Sequence, residues 1–185
     1  MKTFFAGMML LTMMSILSIG QTTDKKVEEK TPAAKPPISA LAWLVGGVWK
    51  ADAAKLGPGM QRIETRYEWA DNGANLYFTT HFVFDKGVLK NYSGNLYWDP
   101  EKKALALWYM DAKGSITQGP MEWGGDVLRI TFRGPDFEGN VADLKVDVTR
   151  KTEDHYHWAV FEKVADSWKE LGALEYLRDA TKSQL

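Results

Sequence analysis

The chain has 185 residues, the size of one domain. It carries 23 Lys and Arg against 24 Asp and Glu, a net charge of −1, so no basic surplus points to nucleic acid or an anionic membrane as partner. It has no cysteine, which excludes disulfides, thiolate metal sites, a cysteine nucleophile and a lipid-modified N-terminal cysteine.

Residues 1–20 open with one Lys, continue as an apolar run from Phe4 to Leu17 and end in Ser18-Ile19-Gly20. That order reads as a secretory signal peptide cleaved before Gln21. The apolar run is shorter than the ~20 residues that span a bilayer. The mature protein is therefore expected to be secreted or periplasmic, with no membrane span. Residues 21–39 are polar and charged, with Pro32, Pro36 and Pro37, and read as a disordered linker. A compact domain is expected over 40–179, followed by a short tail, 180–185.

Ser39 is placed to cap a short helical turn through Ala40, Leu41 and Leu44, with Gly46 ending it. From there the apolar period is two. Ile63, Thr65, Tyr67 and Trp69 alternate with Arg62, Glu64, Arg66 and Glu68. Leu128, Ile130 and Phe132 alternate with Arg129, Thr131 and Arg133, and Ala142 to Val148 repeats the pattern. Turn signals such as Asn72-Gly73, Asp99-Pro100 and Gly124-Gly125-Asp126 recur between the runs. The result is ten predicted strands: 47–52, 60–70, 74–84, 89–98, 104–110, 115–123, 126–133, 141–151, 155–164 and 168–178. So wide an open sheet would leave two bare edges and one apolar face. The expected fold is all-β: an antiparallel up-and-down barrel of about ten strands, with a short N-terminal helical plug. A β-sandwich is the alternative.

Leu41-Ala42-Trp43-Leu44-Val45-Gly46-Gly47-Val48-Trp49 resembles the start of a lipocalin-like (calycin-type) barrel, where a helical turn precedes Gly-x-Trp. The resemblance implies barrel closure by Gly47, Trp49 and Arg178, with the Arg178 guanidinium over the Trp49 indole. Gly57-Pro58-Gly59, Tyr92-Ser93-Gly94, Trp98-Asp99, Trp108-Tyr109-Met110-Asp111 and Tyr176-Leu177-Arg178 follow in the order seen in uncharacterised bacterial secreted proteins with a lipocalin-like domain. Gly47, Trp49 and the Gly57–Gly59 loop are also similar, more distantly, to nitrobindin-like heme barrels. That likeness implies an iron ligand on a late strand, His157 or His155. Lys50, Ala51 and Asp52 after Trp49 depart from the nitrobindin pattern.

In a meander, alternate loops share an end. Loops 53–59, 85–87, 112–114, 134–140 and 165–167 are thus expected together, opposite the plug, as the mouth through which a ligand enters. Tyr67, Trp69, Phe78, Phe82, Trp98, Trp108 and Phe132 are the candidate lining, suited to stacking on a small apolar or aromatic molecule. The alternative is a barrel filled by those side chains, with a structural or interaction role and no ligand. His155-x-His157 forms a metal half-site if it faces inward. Tyr156, Trp158 and Val160 are the more apolar set, which turns the histidines outward. His81 falls opposite Phe78 and Phe82. No phosphate loop, dinucleotide fingerprint or Gly-x-Ser-x-Gly is present. No catalytic residue or obligatory cofactor is expected.

Overall fold

The computed structural model describes residues 37–136 and 139–180, all within the unit Ala34–Leu185. The predicted signal peptide, nearly all of the linker, and all but the first residue of the tail lie outside the described residues. A 3₁₀ helix, Pro37–Leu44, comes first. Ten strands follow: β1 Val48–Asp52, β2 Met60–Trp69, β3 Asn75–Phe84, β4 Gly87–Asp99, β5 Ala104–Asp111, β6 Ile116–Gly124, β7 Val127–Pro135, β8 Val141–Arg150, β9 His155–Val164 and β10 Ser167–Asp179. Every neighbouring pair is antiparallel, and β1 pairs with β10, so the sheet is a closed up-and-down barrel rather than a sandwich. The helix begins at Pro37, earlier than the linker boundary at 39 allows. Ile38 explains the difference: it is buried in the core, so the chain is anchored from that residue on.

The turns form where side chains capture loop amides. Asn72 Oδ1 accepts the Ala74 amide, Asp99 Oδ1 accepts those of Glu101 and Lys102, and Asp111 Oδ1 accepts those of Lys113 and Ser115. The bonds from the Lys102 and Ser115 amides are the chief cause holding the carboxyls of Asp99 and Asp111, respectively, below the usual range.

Closure brings Val48 opposite Asp179, Trp49 opposite Arg178 and Ala51 opposite Tyr176. Gly47 has a positive φ of 80°, and a Cβ there would stand 2.5 Å from the Asp179 carbonyl oxygen. This is the physical reason for glycine two residues before the tryptophan. Trp49 is wholly buried and donates from Nε1 to the Leu44 carbonyl at 2.7 Å. Arg178 lies 4.5 Å above the Trp49 ring. Its Nη1 donates to the Val45 carbonyl at 2.9 Å, and its Nη2 to the carbonyls of Trp43 and Glu153. Its Nε is 3.1 Å from Asp154 Oδ1, an ion pair whose angle falls short of a hydrogen bond. The helix, Trp49 and Arg178 thus seal the end of the barrel where β1 begins.

Candidate functional site

Because the strands form one closed meander, loops alternate between ends. The loops 53–59, 85–86, 112–115, 136–140 and 165–166 therefore share the end opposite the plug. Two of them touch: the Asp85 amide donates to the Gly59 carbonyl at 2.9 Å, and Gln61 donates to Asp85 at 2.8 Å.

Register fixes which side chains point inward. Tyr67 opposes Phe78, Phe78 opposes Gly94, and Gly94 opposes Tyr109. Ile63 opposes Phe82, and Phe132 opposes Leu144. Gly94 is required there, since a Cβ would meet the Tyr109 Cβ at 2.7 Å. Phe82, Tyr92, Tyr109 and Phe132 form an arc of successive edge-to-face rings with centroids 5.2 to 6.0 Å apart. Tyr67 and Phe78 lie 6.0 Å apart. All six face the interior and are only half-buried, as are Trp158 and Leu174 on the other side of the barrel. Most sit within their strands, not at strand ends. They pack against the core cluster while keeping part of their surface accessible.

At the plug end the rings gather around the wholly buried Trp49. Trp43 contacts Trp49, Trp123 and Tyr156, and Tyr156 stacks on Tyr176 at 4.7 Å. Trp69 ends β2 and Trp98 nearly ends β4, both inward-facing at the plug end and, like Tyr67, Phe78, Phe82 and Phe132, partly buried against the core. The predicted lining therefore divides. Tyr67, Phe78, Phe82 and Phe132 come together. Trp69 and Trp98 belong to the sealed end. Trp108 points outward and is 37% exposed, because Leu105, Leu107 and Tyr109 take the inner face of β5 and leave Ala106, Trp108 and Met110 outside. With Tyr77, Thr79, Ser93 and Asn95, Trp108 lines a shallow outer groove of about 260 Å³.

Sequence reasoning missed Tyr92, Tyr109 and Tyr176. Both faces of β4 and β5 carry aromatics, and a bulge after Thr80 shifts the β3–β4 register, so alternation alone did not choose. The Leu-x-Leu-x-Tyr run at 105–109 was the usable signal.

Between the two aromatic groups lies a set of hydroxyls. Thr65 and Thr80 share a buried hydrogen bond of 3.0 Å. The Tyr176 hydroxyl faces Thr65, and the Tyr67 hydroxyl faces that of Tyr156. Burial is the main cause that pushes the phenols up, Tyr67 to about 12 and Tyr156 and Tyr176 further. They stay protonated and neutral at ordinary pH.

Neither a protein-family model nor a curated protein matches this chain. Its site is read from the geometry.

All three histidines sit on the outer face. His81 opposes Glu64, which opposes Lys50, all three on the face away from Ile63, Thr65 and Phe82. His155 Nε2 and His157 Nδ1 lie 2.6 and 2.7 Å from the two oxygens of Glu175, on the outside of β9 and β10. Burial opposes ionisation of Glu175, but bonds to His157 and His155 outweigh it and hold the carboxyl below the usual range. An interior heme would find no histidine facing it, so the residues present do not fit that group. Among the described residues, no cluster of three or more His, Cys, Asp or Glu has the arrangement to hold a metal ion.

Proposed function

We propose that this chain is an exported barrel of the lipocalin-like kind that binds one small apolar or aromatic molecule in the half of the barrel away from the plug. The observation that carries the reading is the arc Phe82–Tyr92–Tyr109–Phe132, inward-facing and not fully buried. Rings in this state leave apolar surface for a ligand to cover, at ~25 cal/mol per Å². They also present both edges and faces to a flat molecule. The shared end of the two long loops, 53–59 and 136–140, gives the route in.

The test is fluorescence titration with N-phenyl-1-naphthylamine, which brightens and shifts to the blue in apolar surroundings. The expected result is saturable enhancement at one site per chain, weakened at least fivefold by Phe82→Ala or Tyr109→Ala and unchanged by Trp108→Ala. No enhancement with the folded protein would leave the filled, structural barrel as the reading. Native mass spectrometry of protein from its source would add the mass of any retained molecule.

A further inference from the structure

We propose that the ligand carries a neutral oxygen acceptor, such as a ketone carbonyl, at its buried end, and that the hydroxyls of Tyr67, Tyr156, Tyr176, Thr65 and Thr80 receive it. This rests on the reading of the far half of the barrel as a ligand cavity.

The argument is a count of protons. Five hydroxyls bring five donors, and each also has lone pairs. The Thr65–Thr80 bond spends one donor. The facing pairs Tyr67–Tyr156 and Tyr176–Thr65 engage one donor each, which leaves two of the five. The surrounding backbone carbonyls are engaged in the ladders of β1, β2, β3, β9 and β10. Tyr156 and Tyr176 are themselves buried, so any donor this set leaves over faces the barrel interior and not bulk solvent. Tyr156 and Tyr176 are held in place by their stacked rings, 15° apart in plane, and by Trp49 at 4.7 Å from Tyr156. The donors are preorganised at the floor of the cavity, beneath an aromatic wall. Leaving such donors facing an apolar molecule costs more than leaving lone pairs unused.

The acceptor is neutral because no free cation stands by it. Arg178 is engaged with the carbonyls of Trp43, Val45 and Glu153, and Arg150 lies over Trp43 with its Nε on the Thr152 carbonyl. Toward the rim the inward acid Glu162 of β9 stands opposite Lys169 of β10, so the two charges offset each other there, away from the hydroxyls. A buried carboxylate would go uncompensated.

Three molecules of one shape separate the outcomes: 2-acetonaphthone, 2-ethylnaphthalene and 2-naphthoate, each competed against N-phenyl-1-naphthylamine at pH 7. The ketone is expected to displace the probe at a concentration at least about tenfold below the hydrocarbon. The carboxylate should be weaker than the ketone. Tyr67→Phe, Tyr156→Phe and Tyr176→Phe keep the rings, so the barrel stays packed. Each should shrink the ketone-to-hydrocarbon ratio at least threefold, with the ketone weakened and 2-ethylnaphthalene unchanged or tightened. Equal displacement by ketone and hydrocarbon, or tightest binding by 2-naphthoate, overturns the acceptor inference and leaves the cavity standing. Failure of the probe itself to bind sinks the cavity reading instead.

Discussion

Trp49 and Phe82 both point into the same barrel from neighbouring parts of the sheet, yet Trp49 is wholly buried and Phe82 keeps part of its ring open. The difference lies in what covers them. Over Trp49 come the Pro37–Leu44 helix, the Arg178 guanidinium and the rings of Trp43 and Tyr156. Around Phe82 the neighbours are other inward aromatics arranged edge to face along the wall, with Tyr92 at 6.0 Å. One end commits its aromatic surface to packing around Trp49, and at the other the inward rings keep part of theirs accessible.

The sharpest way to break this contrast is Trp49→Ala. Removal of a wholly buried indole should cost ~3–5 kcal/mol, read as a fall in the urea midpoint, and the variant is expected to be largely unfolded. Arg178→Met comes next. It keeps a long stem over Trp49 but leaves the carbonyls of Trp43, Val45 and Glu153 without their donor, a loss of ~1–3 kcal/mol. Phe82→Ala should cost less than Trp49→Ala, ~2–3 kcal/mol, because part of its ring stays accessible, while weakening naphthylamine binding. Equal losses for Trp49→Ala and Phe82→Ala would erase the contrast.

Alkaline titration followed at 295 nm sharpens it without mutation. The folded state raises Tyr67, Tyr92, Tyr109, Tyr156 and Tyr176, chiefly by burial. A raised phenol favours the fold fully below its unfolded value of ~10, and that favour is lost as pH climbs through the folded value, about 12 for Tyr67. Tyr92 and Tyr109, reached by solvent, should ionise reversibly first. Tyr156 and Tyr176 should ionise only as the barrel opens. A single phase for all would contradict the division. The smallest effect is expected from the double variant His155→Ala, His157→Ala. Its exposed clamp on Glu175 contributes under ~1 kcal/mol, and naphthylamine binding should not change.

Much of the architecture was legible before any coordinates. Alternation in 62–69, 128–133 and 142–149 declared half-buried strands, and Asn72-Gly73 and Asp99-Pro100 declared turns between them. The pairing of Trp49 with Arg178 was expected on resemblance and is found in the closed sheet. The site was only partly legible. Period two says that residues share a face, but not which face is inside when both carry rings, so Trp108 was misplaced and Tyr109 overlooked.

What the chain order determined by itself was local: strand against turn, one side against the other, and a glycine where Asp179 leaves no room for a Cβ. These follow from backbone geometry and solvent preference over a few residues. What only the closed barrel decided was which rings are buried and which keep accessible surface, and that hydroxyls from β2, β3, β9 and β10 come together in the interior. Those facts depend on strands far apart in sequence being brought together by register, strand tilt and the plug.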